Sequence, residues 1–165
     1  MSGLSINITS ADLAEAERRL KKLLGAMVDK SPLMATLAGY LEFSTRDRFS
    51  TQTGPDGQRW APSIRAQLSG GATLTDNGIL LGSIGRAHGQ DFAAAGTNDQ
   101  RARLLHFGGV VKAKGGALAF KLPGALGMRL VKSVTIPGRP FFGASDEDQA
   151  AIPAIIARYL AEAGA

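Results

Sequence analysis

The chain has 165 residues, no cysteine, a formal net charge of +5 and 44% hydrophobic residues. This length and composition suit one globular domain, and the missing thiols exclude disulfides, thiolate metal sites and a cysteine nucleophile. No apolar run approaches the roughly 18 residues that a membrane-spanning helix needs, and the first residues lack the features of a secretory signal. We therefore expect a single domain over residues 1–165 that stays in the cytosol and has no membrane partner.

The N-terminal third predicts a short strand and two helices. Residues 4–9 alternate apolar and polar side chains, as a strand with one buried face does. Apolar residues then recur at helical spacing over residues 11–28, which predicts an amphipathic helix with a core-facing stripe. Ser31 and Pro32 are the residue types that cap and begin a helix, and the second helical pattern runs to about Phe49.

A turn and a loop interrupt the helical pattern. Pro55, Asp56 and Gly57 form a strong turn signal. Trp60 follows as the only tryptophan, and in this place it either fills the edge of the core or anchors a partner. Residues 61–73 contain a proline and two glycines with little periodicity, which predicts a mobile loop.

Short elements follow in the middle of the chain. Residues 75–84 predict one or two helical turns leading into a strand, and residues 91–97 predict another strand. A short helical turn is expected over residues 101–106, ended by Gly108 and Gly109.

The positive charge is concentrated in residues 101–142, which hold eight basic side chains and no acidic one. We predict a basic hairpin over residues 110–122 with its tip at residues 112–116. A good strand is predicted over residues 130–136, with a sheet edge or a bulge near Lys132. Such a charged block can meet nucleic acid or an acidic protein face. Lysines on solvated strands and turns would give the same count.

The C-terminal part predicts a rigid corner and a capped helix. Pro137 and Pro140 cannot donate ladder hydrogen bonds, so the chain must leave the sheet there. Ser145 and Asp148 have the spacing of a capping box, and Pro153 should kink or split the helix that follows. The resulting fold class is α+β: a small antiparallel sheet, formed mainly by residues 104–143, packed against two N-terminal helices and a C-terminal helix.

No arrangement of residues indicates catalysis. His88 and His106 are too few and too isolated for a metal site. A general base at His106 beside the backbone donors of Gly108 and Gly109 would need a nucleophile and an orienting acid, and neither occurs at a recognisable spacing. We expect His106, Gly108 and Gly109 to be structural turn residues, as we do Pro55, Asp56 and Gly57. We expect no enzyme activity, no cofactor and no metal.

Several short motifs follow one another between residues 30 and 160. In order they are Pro55-Asp56-Gly57 with Trp60, Leu74–Leu80 with Ser83-Ile84, Gly96-Thr97, His106–Gly109, and Ile136–Gly143 before the capped helix. This ordered set resembles the phage virion morphogenesis family, the tail-completion proteins of Mu-like and P2-like phages.

The resemblance implies a structural virion protein that acts late in assembly, completing or capping the tail at its head-proximal end and enabling head–tail joining. It implies a homo-oligomeric ring, by likeness to tail-terminator and neck proteins, which are often hexameric. Its partners would be itself, tail tube or sheath proteins, and head–neck connector proteins, in the virion tail or neck after assembly in the host cytoplasm. A head-side neck or connector protein and a small basic nucleic-acid-binding module remain the alternatives.

Two groups of residues are candidates for contacts in such an assembly. Candidate contacts with other subunits or partners are the aromatic and proline-corner residues Trp60, Phe107, Arg139, Pro140, Phe141 and Phe142. Candidates for non-specific contact with genomic DNA in a channel are the hairpin lysines Lys112, Lys114 and Lys121.

Overall fold

The computed structural model describes residues 10–121 and 127–165. Its helices are α1 (Ser10–Val28), α2 (Ser31–Thr51), α3 (Ile64–Ser69), α4 (Ile79–Gly82), α5 (Ala102–Phe107) and α6 (Asp146–Gly164). Its strands are β1 (Ile84–His88), β2 (Ala93–Thr97), β3 (Gly109–Lys112), β4 (Leu118–Lys121), β5 (Met128–Val131) and β6 (Ser133–Ile136). This mixture of helices and small antiparallel sheets confirms the α+β class. The strand predicted for residues 4–9 lies outside the described residues.

Helix α2 is the centre of the fold, since it packs against β1, β2 and α6. Its buried face includes Leu33, Leu37 and Phe49. The N-cap of α2 is Lys30, one residue before the Ser31 cap predicted from the sequence. The carboxylate of Asp29 accepts a hydrogen bond from the Ser31 N–H at 2.9 Å. Ser31 and Pro32 therefore lie inside the first turn, where a proline loses no helical hydrogen bond.

Helix α1 forms as predicted, but its apolar stripe does not face the core. Leu13, Leu20, Leu24 and Met27 are 54–63% exposed, and the extended contact of α1 is with α6. The periodicity of the sequence correctly indicated an amphipathic helix. It could not show that the strands pack on α2 instead, which leaves the α1 stripe uncovered within the described residues.

The strands form three two-stranded sheets instead of one. In the first, β1 pairs with β2 from Ile84↔Thr97 to His88↔Ala93, and this sheet packs on α2. The helix-packed strands thus come from residues 84–97, and the expectation that residues 104–143 supply them is wrong. Residues 104–143 instead provide the other two sheets.

The predicted hairpin over residues 110–122 is wrong in its pairing. Strand β3 pairs with β6, from Gly109↔Ile136 to Lys112↔Ser133, and β4 pairs with β5, from Leu118↔Val131 to Lys121↔Met128. Residues 113–117 bulge out opposite Lys132, whose carbonyl accepts a hydrogen bond from the Ala113 N–H at 2.9 Å. The glycines that suggested a hairpin tip make this bulge. The strand predicted for residues 130–136 is divided at Lys132 into β5 and β6, but the extra residues of the bulge lie on the opposite strand. We call the four strands β3 to β6 the ribbon.

Two further segments differ from the sequence-based expectation. Residues 61–73 contain helix α3, capped by the Ser63 hydroxyl, which accepts from the Ala66 N–H at 3.1 Å; a helix of six residues is too short to show periodicity. Pro153 was expected to kink or split the last helix, and α6 continues through it without splitting. Pro153 lies on an exposed face, where water can satisfy the carbonyl that loses its partner. None of the described helices is long and apolar enough to span a membrane.

Candidate interaction surface

Residues 136–143 form a segment that we call the corner, and three aromatic rings of the hydrophobic core meet there, one of them from the corner itself. Phe49 lies 5.3 Å from Trp60 and 5.5 Å from Phe141 between ring centroids, and all three side chains are buried. The Trp60 indole N–H donates to the Pro140 carbonyl at 2.8 Å. Trp60 and Phe141 were candidate contacts between subunits, but their burial inside one chain leaves them no surface to offer a neighbour.

Buried arginines hold the backbone of the corner. The Arg139 guanidinium donates to the Ala61 carbonyl at 2.7 Å, and its burial lowers the pKa of Arg139. The Arg139 N–H donates to the Leu105 carbonyl at 2.9 Å, which ties the corner to α5. Arg48 donates to the Phe141 carbonyl at 2.9 Å. Arg139, also predicted to contact partners, is therefore an internal support of the corner.

His106 supports the same backbone from the other side. Its Nδ1 accepts from the N–H groups of Phe141 and Phe142 at 3.3 and 3.5 Å, and its ring meets Phe141 edge-on at 5.0 Å. Burial lowers the pKa of His106, which favours the neutral ring that can accept these bonds. The hydrogen bonds fit the structural role predicted for this histidine.

Two glycines allow α5 to approach the corner closely. A Cβ added to Gly108, whose φ is +74°, would lie 2.4 Å from the Gly138 nitrogen. A Cβ added to Gly138 would lie 2.8 Å from the Phe107 carbonyl oxygen. No side chain fits at either position without a backbone shift, so the turn that ends α5 depends on glycine.

The turn at residues 54–57 packs beside the corner. The Gly57 N–H donates to the Gly54 carbonyl at 3.0 Å with Gly57 at φ +73°, and the Asp56 carboxylate accepts from the Gln58 N–H at 3.1 Å. The ring of Pro55 lies close enough to Gly143 that a Cβ there would meet it at 2.7 Å. The turn signal in the sequence is confirmed.

Phe107 is the exposed apolar residue of this region, with 74% of its surface accessible. A hollow of about 560 Å³ lies on one side, lined by Gln100, Arg103, Leu104, Phe107 and Gly108. A smaller hollow of about 220 Å³ lies on the other, lined by Ala102, Arg103, His106, Phe107, Phe141 and Phe142. Pro140 is also exposed and Phe142 is half-buried. Of the six predicted contact residues, Phe107, Pro140 and Phe142 thus remain available to a partner.

The predicted lysines stand apart from this surface, on the ribbon. Lys112 lies in β3 and Lys114 in the bulge, and both are exposed. Lys121 ends β4, and its side chain is outside the described part of the structure. Among the described residues, no group of three or more His, Cys, Asp or Glu side chains could hold a metal ion.

A buried ionic network was not foreseen from the sequence. Asp148, predicted only as a capping residue, also pairs with Arg48 and accepts from Tyr40 at 2.9 Å and Ser44 at 2.6 Å. Burial raises the pKa of Asp148, but hydrogen bonds from the Ser145 backbone, Ser44 and Tyr40 outweigh it and hold that pKa at about 2. Burial, together with the Asp148 hydrogen bond, raises the pKa of Tyr40 to about 12. The available signal was the i, i+4, i+8 spacing of Tyr40, Ser44 and Arg48 on α2.

Comparison with known proteins agrees with the motifs. The model of the phage virion morphogenesis family matches residues 11–161. The chain is 28% identical over 149 residues to the Mu-like prophage FluMu G protein 2 of Haemophilus influenzae, and the match covers 90% of each chain. No solved structure gives a significant match. Because the family match spans nearly the whole sequence, the chain belongs to the phage virion morphogenesis family.

Proposed function

We propose that this protein completes the phage tail at its head-proximal end, as a homo-oligomeric ring that enables heads and tails to join. Family membership supports a structural role in virion assembly. The similarity to a Mu-like prophage protein supports a phage context. The finer position, at the tail end that meets the neck, and the ring itself are part of the proposal.

The observation that carries the proposal is the exposed Phe107 on a fixed backbone. Its neighbour His106 hydrogen-bonds the corner, and the next residue, Gly108, is locked against Gly138. A backbone that is already fixed loses little conformational entropy on binding, and aromatic residues are prominent among the side chains that dominate interface energies. The hollows beside Phe107 would accept apolar side chains of a neighbouring protein.

A complementation experiment with two matched variants tests the proposal. The gene is deleted from the phage or prophage that carries it, and particles are examined by electron microscopy after supplying wild type, Phe107→Ser or Phe43→Ser. Phe43 is the matched control, because it is also exposed, at 68%, but lies on α2 and lines neither of the hollows beside Phe107.

We expect the deletion to leave full heads unjoined from tails of irregular end or length. Wild type and Phe43→Ser should restore joined particles, while Phe107→Ser should not, although it folds normally. Joined infectious particles without the gene would contradict the proposed function. Full rescue by Phe107→Ser would contradict the role of the exposed phenylalanine.

A further inference from the structure

The ribbon has the features of a structural element that lacks its partner. Two strands alone are only marginally stable in water without a third strand or a packed helix. Neither β3–β6 nor β4–β5 makes an extended contact with any helix of the described chain. Large apolar side chains are nevertheless exposed on it: Met128 at 65% and Leu130 at 68%. A protein surface that covered them would stabilise the ribbon.

The charge of the ribbon indicates the sign of that partner surface. Lys112, Lys114, Arg129 and Lys132 are all exposed, and none forms an ion pair within the described residues. The whole segment 101–142 contains no acidic residue that could offset them. The surface that meets the ribbon should therefore be acidic.

The chain itself carries a surface of that kind. A depression of about 410 Å³ lies between the C-terminal end of α2, the turn at residues 54–57 and the start of α6. Its exposed acidic side chains are Asp47, Asp56, Asp146 and Glu147, and none is paired with a cation in the described structure. Arg48, which also lines the depression, is already neutralised by Asp148. The depression thus offers four uncompensated negative charges.

We propose that the ribbon of one copy docks in the acidic depression of the next copy. The inference rests on the proposed ring and adds to it the two surfaces that join its subunits. Because the ribbon and the depression are different surfaces of one chain, the contact is head-to-tail, and repeated contacts of this kind close into a ring when the rotation allows.

A second copy fits these observations better than DNA does. Phosphates would satisfy the lysines, but they would leave the acidic depression without a counterpart. A neighbouring subunit answers the basic charge of the ribbon and the acidic charge of the depression at once.

Charge reversal on each surface tests the docking. The ribbon variant carries Lys112→Glu, Lys114→Glu and Lys132→Glu. The depression variant carries Asp47→Lys and Glu147→Lys, which leaves Asp56 in its turn and Asp146 in the first turn of α6. All five positions are exposed, so the fold should persist, and circular dichroism verifies it.

The assembly of each protein is measured by sedimentation velocity, alone and in mixture. Wild type should form a closed oligomer, and each variant alone should lose assembly by at least about 100-fold in dissociation constant, since like charges then face each other. An equal mixture of the two variants should assemble again, because each reversed surface then meets its complement. A control with Arg18→Glu, Lys21→Glu and Lys22→Glu on α1 has the same net charge as the ribbon variant and should assemble like wild type.

Four results would overturn the docking. Variants that assemble like wild type would show that other surfaces join the subunits, while the deletion phenotype could still support the proposed function. A mixture that fails to assemble would refute the complementarity. Binding of mixed-sequence duplex DNA that is lost in the ribbon variant, with assembly intact, would assign the ribbon to nucleic acid. A wild-type protein that stays monomeric at every concentration would contradict both the docking and the proposed ring.

Discussion

The Asp148→Asn substitution probes the buried ion pair that fastens α6 to α2. The side chains of Arg48 and Asp148 are only 7% and 1% exposed, and Asp148 also accepts bonds from Tyr40, Ser44 and the Ser145 N–H. The substitution preserves the shape of the side chain but leaves the buried Arg48 guanidinium without its counter-ion. Removing one partner of a buried pair costs about 3–5 kcal/mol. Domains of this kind are stable by only about 5–15 kcal/mol, so the loss is a large share of the total.

Urea unfolding followed by the fluorescence of Trp60 measures this cost directly, because Trp60 is the single tryptophan and lies in the core. Ser145→Ala is the control, since it removes a helix-capping hydroxyl and should cost about 1 kcal/mol. The double variant Arg48→Met/Asp148→Asn should be less destabilised than the sum of the two single variants, because no charge is left stranded. An Asp148→Asn protein within about 1 kcal/mol of wild type would refute the assigned role of the pair.

The same carboxylate predicts a dependence of stability on pH. Its pKa is about 2 in the folded protein against an ordinary 3.8, so the unfolded chain binds the proton more readily. The ionised Asp148 therefore contributes roughly 2 kcal/mol to the free energy of unfolding, fully present above about pH 4 and lost as the pH falls toward 2. Asp148→Asn should lack this component of the acid transition. An unchanged acid profile in that variant would contradict a pKa of about 2 for Asp148.

Three further predictions concern the corner. Gly108→Ala should lower the free energy of unfolding by more than about 1 kcal/mol, because the new Cβ would meet backbone at 2.4 Å. Gly57→Ala has the same strain in φ but open space around the Cβ, so it should cost less, and equal losses in chemical denaturation would contradict the close approach at Gly108. Trp60→Phe should cost about 1–3 kcal/mol through a lost hydrogen bond and lost volume, and a neutral effect would argue against the core assignment. The pKa of His106, measured by NMR titration, should lie below 6.5, so protonation of this residue should lower the stability of the fold as the pH falls below 6.5. A pKa above 6.5 would exclude Nδ1 as a hydrogen-bond acceptor.

Local signals predicted the elements of this fold well. The capping box at Ser145 and Asp148 is present with both of its hydrogen bonds, and the interruption at Lys132 separates β5 from β6. These features depend on residues within a few positions of one another, so sequence alone carries them. The turn at residues 54–57 and the end of α5 at Gly108 belong to the same class.

Pairing over long distances could not be predicted in the same way. The glycines at residues 115 and 116 favour a tight turn and a wide bulge equally, and only the partner strands β5 and β6 decide between them. The apolar stripe of α1 predicts that one face of the helix is buried, but the pattern does not identify the element that would cover it. The burial of Trp60 could not be predicted from local sequence either, because it depends on Phe49 and on the carbonyl of Pro140, 80 residues away.

Localisation of the protein on purified virions tests the central claim most directly. Particles carrying a small epitope tag after residue 165 would be labelled with gold-conjugated antibody and imaged by electron microscopy. Label at a single site, on the tail end that joins the head, is the predicted result. Virions that carry no label, or that carry it only at the far end of the tail, would contradict the account.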